Sequence, residues 1–266
     1  MNYGFIGLGN MAGAIIRGMH RSGLFAENTV YGYDSFEEKA QAIAAETGLV
    51  PCRDNCEVVA NADVVVFAVK PQMMEGMLAA IPAEQFAGKL VISIAAGVTL
   101  AWYESRLPGV AVIRTMPNIN AIVGCASTAL CKGTHTTDAH MEIAKTLFSA
   151  VGSVYPMEER LVSGFSAICG ASDAFTFLYV EALASAGVKQ GFPKPMALQM
   201  AKEVVLGAAK LLESGAGNPM ELADMVCSPG GTTIEGVHKL REHGFEYAVY
   251  EAVGAVADKD RLLGKK

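Results

Sequence analysis

Apolar and polar segments alternate through the first half of the chain, as strands and helices do in mixed α/β proteins. The residues at 63–69 are apolar almost throughout, which is typical of a strand buried on both faces. The same reasoning predicts the strands and helices of this half, with strands at 3–6, 29–33, 63–69, 90–94 and 110–113 and helices at 10–21, 36–47 and 72–80. The alternation predicts an α/β fold, in which helices cover both faces of a doubly wound parallel sheet.

The pattern changes near Pro156. Segments 161–187 and 194–214 are rich in Ala, Leu, Gly and Met, a composition typical of long helices that pack closely through small residues. Two domains are therefore predicted, a sheet domain at 1–158 and an all-helical domain at 159–266.

Glycine and proline predict the ends of these helices. Gly187 followed by Gly191-Phe192-Pro193 is expected to end the first, because glycine stops helices and proline cannot continue one. The residues Ser228-Pro229-Gly230-Gly231 are expected to interrupt the chain again.

The composition indicates a protein that buries much of its surface. Hydrophobic residues make up 52% of the 266 residues and charged residues only 18%. Such a chain lacks the polar residues to cover a whole monomer, so part of the surface is expected to lie in a subunit interface.

Charge, apolar run length and the placement of cysteine and histidine limit the expected partners and the expected compartment. The net charge is −6 and no basic cluster occurs, which disfavours nucleic acid. No run reaches the roughly 18 apolar residues of a membrane span, and the chain opens on a strand without a basic leader, so a cytoplasmic protein is expected. Six scattered cysteines indicate reduced thiols, and five histidines without ligand spacing predict no metal site.

The residues Gly7-Leu8-Gly9-Asn10-Met11-Ala12 have the spacing of a dinucleotide-binding loop. They follow a predicted strand and open a predicted helix. Gly7 permits a tight turn, Gly9 lets a pyrophosphate approach the backbone, and Ala12 keeps the helix close to the strand. The free N–H groups at the start of the helix would face the phosphates, so NAD(P) binding is predicted.

Asp34 closes the second predicted strand, where a carboxylate can accept hydrogen bonds from the ribose hydroxyls of NADH. The same charge would repel the extra phosphate of NADPH, although Ser35 could donate to one. Asp34 as an N-cap for a helix from Phe36 is the alternative. The residues favour NADH and leave NADPH open.

Five segments together resemble pyrroline-5-carboxylate reductases along essentially the whole chain. Their order and spacing carry the resemblance, and the turn with two glycines and two threonines is the most specific of them. The segments are Gly4 to Ala12, Ala68-Val69-Lys70-Pro71-Gln72, Ser93 to Val98, Arg114-Thr115-Met116-Pro117-Asn118 and Ser228-Pro229-Gly230-Gly231-Thr232-Thr233-Ile234.

The resemblance implies a Rossmann-type domain followed by a helical dimerisation domain. It also implies reduction of 1-pyrroline-5-carboxylate to L-proline, the last step of proline biosynthesis, usually with NADPH and sometimes with NADH. A homodimer or higher homo-oligomer follows from it.

Ligands of open α/β sheets bind beyond the carboxyl ends of the strands, so the loops after the strands are expected to surround the cofactor. These loops supply the remaining candidate cofactor residues, Ala68, Val69, Lys70, Pro71, Ala95, Gly97, Met116 and Pro117. Lys70 has the chemistry of a general base, but the resemblance implies that the backbone beside it matters more.

The segment Gly230-Gly231-Thr232-Thr233 is the candidate substrate site. Consecutive N–H groups at two glycines, followed by a helix start, suit a carboxylate. The resemblance implies that Thr233 donates to the substrate nitrogen and is the catalytic residue. The alternative is an ordinary helix start with Ser228 as N-cap and Pro229 in the first turn.

The segment at 170–174 departs from the family pattern, and two other functions are alternatives to the one that the resemblance implies. Gly170-Ala171-Ser172-Asp173-Ala174 stands where these enzymes usually carry Gly-Ser-Gly-Pro-Ala. Asp173 is expected to face solvent or cap the helix, and the alternative is that it faces the pocket and changes the substrate preference. A β-hydroxyacid dehydrogenase of the same architecture is disfavoured, because segment 161–187 lacks the lysine that such enzymes use. A non-catalytic NAD(P)-binding protein would have no need for the turn at 228–234.

Overall fold

A computed structural model describes residues 1–263 and shows two compact units. The first unit comprises residues 1–170 and the described residues from 257 onward, and the second comprises 171–256. The domain boundary predicted at 158/159 stays a prediction. It follows the strand that ends at Pro156 and precedes the division at 170/171.

The first unit contains one sheet of eight strands in the order β3-β2-β1-β4-β5-β6-β7-β8. The strands are β1 Asn2–Ile6, β2 Thr29–Tyr33, β3 Val50–Pro51, β4 Val64–Phe67, β5 Leu90–Ser93, β6 Ala111–Pro117, β7 Ala126–Lys132 and β8 Gly152–Pro156. The predicted Rossmann-type sheet is confirmed. Its edge needs a correction, because β7 runs antiparallel to β6 and β8 pairs parallel with β7.

Helices cover both faces of this sheet. In the first unit they are α1 Asn10–Arg21, α2 Glu37–Thr47, α3 Asn55–Asn61, α4 Met74–Ala79, α5 Leu100–Arg106, α6 Asp138–Ser149 and α7 Val162–Phe165. Short 3-10 turns lie at Leu24–Ala26, Pro71–Met73, Ala83–Phe86, Ile119–Val123 and Glu159–Leu161. The predicted helix at 72–80 is thus a 3-10 turn followed by α4.

Alternate residues of the strands enter two separate cores. Val64 and Val66 of β4 pack with α1 and α6 on one face, and Val65 and Phe67 pack with α3, α4 and α5 on the other. All four are at most 1% exposed. A strand buried on both faces needs an unbroken apolar run, so the sequence of β4 could be recognised in advance.

The second unit is helical, as predicted. It contains α8 Ser172–Lys189, α9 Lys194–Glu213, α10 Pro219–Val226 and α11 Thr232–Glu242. Helix α12 comprises Phe245–Leu263 and belongs to this unit as far as Val256. Gly191, at φ +97°, follows the end of α8. Gly187 does not end the helix. It lies inside α8, where an added Cβ would be 2.9 Å from the Cβ of Ala197 in α9, so a glycine is needed for close packing of the two helices.

Candidate cofactor and substrate sites

The strand order changes direction between β1 and β4, because β2 and β3 follow on one side of β1 and β4 to β8 on the other. The loops after β1 and β4 meet at this point. The Ala68 N–H donates to the Ile6 carbonyl at 2.8 Å, and the Gly7 N–H donates to the Tyr33 carbonyl at 2.8 Å. Gly7 has φ +91°, and a Cβ there would lie 2.9 Å from the Ala68 carbonyl. Only glycine fits this position. This is the crevice in which open α/β sheets bind dinucleotides.

Helix α1 starts directly beside this crevice. Gly9 is its N-cap, no side chain caps the first turn, and an added Cβ at Gly9 would meet no protein atom within 4 Å. No side chain therefore caps the first N–H groups of α1, and the space beside Gly9 is open. This cradle fits the pyrophosphate of a dinucleotide, which the positive end of a helix also favours.

A cavity of about 560 Å³ opens at the crevice. Seven of the predicted cofactor residues line it, namely Gly7, Gly9, Asp34, Ser35, Ala68, Val69 and Lys70. The structure adds residues that the sequence did not indicate, namely Tyr33, Phe36, Asn55, Met73, Gly76 and Met77. Lys39, the cation nearest to Asp34 in the sequence, also lines the cavity.

The Asp34 carboxylate is held by two backbone N–H groups. Oδ2 accepts from Leu8 at 2.8 Å and Oδ1 accepts from Phe36 at 3.0 Å. The ammonium of Lys39 lies 3.6 Å from Oδ1 and over the Phe36 ring. Helix α2 starts at Glu37 with Phe36 as its N-cap and no side-chain cap. Asp34 is therefore not the N-cap of α2, and the carboxylate binds the phosphate loop instead.

The other predicted cofactor residues do not line this cavity. Ala12 is 1% exposed and packs α1 onto the sheet, as predicted, whereas Asn10 is exposed and Met11 half-buried. Pro71 starts the 3-10 turn that precedes α4. Ala95, Met116 and Pro117 follow or end β5 and β6, and Gly97 lines a separate cavity of about 480 Å³ beside Arg114 and Glu159. Their role in cofactor binding stays a prediction.

A buried hydroxyl network supports the loop after β5. The Ser93 hydroxyl lies 2.5 Å from the Tyr103 hydroxyl and accepts from the Ala95 N–H at 3.2 Å, while the Thr115 hydroxyl donates to the Ser93 carbonyl at 3.0 Å. Burial raises the pKa of Tyr103 to about 12, so its hydroxyl stays protonated at neutral pH. The network fixes Ala95 relative to both strands.

Asn118 supports the loop after β6, a role that its place in the sequence did not reveal. Its Nδ2 donates to the Cys169 carbonyl at 2.9 Å, and its Oδ1 accepts from the Ser127 N–H at 2.9 Å. Cys169 lies in a π-helical turn, Ser166–Ala171, between α7 and α8. A π-turn widens the helix and leaves backbone groups that need other partners, and Asn118 supplies one.

The candidate substrate site forms a tight turn at the start of α11. The Gly231 N–H donates to the Ser228 carbonyl at 2.9 Å across Pro229 and Gly230, and Gly230 has φ +68°. A Cβ at Gly231 would lie 2.3 Å from the Ser228 hydroxyl and 3.1 Å from the Ser228 carbonyl oxygen, so a larger residue there would force the Ser228 side chain to rotate. The N-cap of α11 is Gly231 and has no side-chain cap. Ser228 is therefore not the N-cap, and no side chain caps the first N–H groups of α11.

Two family models match the chain. Residues 159–263 match a model described as pyrroline-5-carboxylate reductase dimerisation. Residues 2–97 match a model described as NADP oxidoreductase, coenzyme F420-dependent. The first match includes the turn at 228–231, and the second includes the cavity residues from Gly7 to Met77.

Relatives named pyrroline-5-carboxylate reductase match nearly the full length. The one from Methanosarcina acetivorans is 39% identical over 99% of this chain and 98% of its own length. The one from Escherichia coli K12 is 35% identical over 98% of both. The solved structure from Coxiella burnetii superposes with a TM-score of 0.92 at 29% identity and covers 100% of this chain and 99% of its own. That from Plasmodium falciparum, with NADP bound, has a TM-score of 0.88 at 25% identity and covers 99% and 98%.

Proposed function

The chain belongs to the pyrroline-5-carboxylate reductase family, and we infer from this premise that it reduces 1-pyrroline-5-carboxylate to L-proline with NAD(P)H. One observation carries the inference. Sequence similarity to relatives of that name extends over 99% of the chain and so spans both the dinucleotide loop and the turn at 228–234. An oxidoreductase acting on β-hydroxyacids and a non-catalytic binding protein would not account for both.

The first unit holds the cofactor in this proposal. The N–H groups at the start of α1 bind the pyrophosphate over Gly9, and Asp34 faces the adenosine ribose. The backbone from Ala68 to Pro71 forms the opposite wall of the crevice. Ala95, Gly97, Met116 and Pro117 are proposed to complete the site around the reacting end of the cofactor.

The second unit holds the substrate. The uncapped N–H groups that follow Gly230 and Gly231 bind the substrate carboxylate, because both the amide dipoles and the helix start favour an anion. The Thr233 hydroxyl donates to the ring nitrogen. Thr232 contributes its backbone at the same helix start.

The chemistry asks for positioning more than for a strong acid or base. The bound NAD(P)H supplies a hydride to the imine carbon. The hydrogen bond that the imine nitrogen accepts from Thr233 polarises the C=N bond, and the nitrogen gains a solvent-derived proton along it as the hydride reaches the carbon. The chain therefore mainly needs to hold the imine carbon in a fixed place and to exclude bulk water. Backbone amides and one hydroxyl are sufficient for this task.

We further propose that the enzyme works in the cytoplasm as a homodimer or higher homo-oligomer, without nucleic acid or membrane as partner. The helical stretch Glu159–Lys189 is long and apolar enough to cross a membrane by length and composition. It also contains Asp173 and Glu181 and lies within the region that matches the dimerisation model. A second copy of the chain is the proposed cover for its apolar surface.

An assay of cofactor oxidation with 1-pyrroline-5-carboxylate tests the proposed function. NADH and NADPH are run in parallel, and L-proline is measured as the product. We expect stoichiometric formation of proline with at least one cofactor. A β-hydroxyacid plus the oxidised cofactors serves as the control and should give no turnover. Binding of a cofactor without conversion of the imine would contradict the proposal.

A further inference from the structure

We propose, on the basis of the proposed function, that this enzyme selects NADH over NADPH and that Asp34 sets the selection. NADPH differs from NADH by a phosphate on the adenosine ribose. In a dinucleotide fold this part of the cofactor lies at the end of the second strand, where the chain places the Asp34 carboxylate.

The Asp34 carboxylate is fixed in place. Its two oxygens accept from the backbone N–H groups of Leu8 and Phe36, and the side chain is only 10% exposed. A surface aspartate could rotate away from an incoming phosphate. If the Asp34 carboxylate rotated away, it would lose both of these charge-assisted hydrogen bonds. If it stays in place, the phosphate meets a like charge in a half-enclosed cavity.

The surroundings do not offset this charge. Lys39 lies 3.6 Å from Oδ1, so its ammonium is already matched by the carboxylate. A neighbouring cavity of about 530 Å³ shares Asp34 and Ser35 and is also lined by Glu37 and Arg53. Arg53 pairs with Glu57 at 3.1 Å. Each of these two cations therefore has an acidic partner, and Glu37 adds a further negative charge near the ribose end.

Asp34 has a second effect, on the phosphate loop itself. Because Oδ2 accepts from Leu8, between the two glycines of the loop, the carboxylate also fixes the loop that receives the pyrophosphate. Removing the carboxylate should weaken the binding of both cofactors through the loop, and it should remove the repulsion that only NADPH meets. Because both cofactors have the same pyrophosphate, the ratio of their affinities reports the effect of the Asp34 charge alone.

The test compares the wild type with Asp34→Ser. Dissociation constants for NAD⁺ and NADP⁺ are measured by titration calorimetry, and kcat/KM for NADH and NADPH by the imine assay. The wild type should favour the non-phosphorylated cofactor by about tenfold or more in both measurements, and Asp34→Ser should move the ratio towards the phosphorylated one by a similar factor. Affinity for NAD⁺ itself should fall.

Glu38→Gln is the matched control, because Glu38 is an exposed carboxylate in the first turn of α2, the helix that follows Asp34, and lines neither cavity. In Glu38→Gln the preference for the non-phosphorylated over the phosphorylated cofactor should stay at the wild-type value. Equal binding of NAD⁺ and NADP⁺ by the wild type, or an unchanged ratio in Asp34→Ser, would overturn the inference. If the binding ratio behaves as expected but no imine is reduced with either cofactor, the selection stands and the proposed function fails.

Discussion

At the scale of single residues, Thr233 gives the most direct test of the substrate site. Thr233→Val keeps the shape of the side chain and removes the hydroxyl proposed to donate to the ring nitrogen. Loss of a donor of this kind should cost about 2–4 kcal/mol of transition-state stabilisation, that is roughly 30- to 1000-fold in kcat. Steady-state kinetics with the imine measures this loss, and calorimetry should show little change in cofactor affinity.

Thr233→Ser is the matched variant, because it restores a hydroxyl at the same place on α11. It should recover most of the activity that Thr233→Val loses. Wild-type turnover by Thr233→Val would show that the hydroxyl has no part in the reaction.

Asn118 joins three segments of the first unit through its side-chain amide. Asn118→Ala leaves the Cys169 carbonyl and the Ser127 N–H without this partner, in a residue that is only 6% exposed. Removing one partner of a largely buried hydrogen bond costs about 1–3 kcal/mol. Denaturant unfolding should show a lower midpoint for Asn118→Ala, and also for Asn118→Asp, which keeps the acceptor for Ser127 but places a carboxylate oxygen against the Cys169 carbonyl. Equal midpoints for all three proteins would contradict this role.

The sequence predicts residue roles where the local backbone alone decides them. Gly7, Gly9 and Asp34 follow from one strand, one loop and the end of the next strand. Phe36, Asn55 and Met77 line the same cavity but come from three separate helix regions, so only the tertiary packing brings them together. The hydrogen bonds from Asn118 to Ser127 and to Cys169 reach 9 and 51 residues along the chain and leave no local signal.

At the scale of elements, some segments were predicted with their bounds, whereas the short edge strands and the helices α3, α5 and α6 were not predicted. Helix α1 and strand β2 have the predicted bounds. Strand β3 has two residues, and β8 is a half-exposed edge strand, so neither gives a clear apolar run. Strand β7 is well buried but combines small and polar residues, Ala126-Ser127-Thr128-Ala129. Its antiparallel direction depends on the short connection after β6.

The contact between α8 and α9 depends on Gly187. Gly187→Ala would place a Cβ 2.9 Å from the Cβ of Ala197, closer than two carbons can pack. Overpacking of this kind costs about 1–3 kcal/mol, which exceeds the gain of about 0.5–1 kcal/mol from replacing a helical glycine. Thermal unfolding should therefore show destabilisation. Adding Ala197→Gly in the same chain should restore part of it, and a stabilised single variant would contradict the predicted contact.

At the scale of the whole molecule, the two units differ in how they bury apolar side chains. The first unit has a continuous core on each face of its sheet, with large side chains such as Phe67 and Tyr103 fully buried. In the second unit the buried cluster consists of Ala184, Ala197 and Ala201, and Leu222 of α10 is the one larger side chain that is also buried among its described residues. Leucine, methionine and aromatic side chains of α8 and α9 are exposed, among them Phe177, Leu178, Met196 and Leu206.

A helical unit of this kind is not expected to remain folded by itself, because so little apolar area leaves the water. The exposed faces lie in the region that matches the dimerisation model, so a second copy should cover them, most simply with two-fold symmetry. The turn at Gly230 and Gly231 belongs to the same unit, and dimerisation should therefore be required for activity.

Light scattering over a dilution series, with turnover measured on the same samples, should show activity falling as the dimer dissociates. The matched variant Leu178→Glu places a charge on the exposed face of α8 and should shift dissociation to higher protein concentration, whereas Ser105→Glu, on an exposed site of the first unit, should not. A monomer with full activity would contradict the prediction.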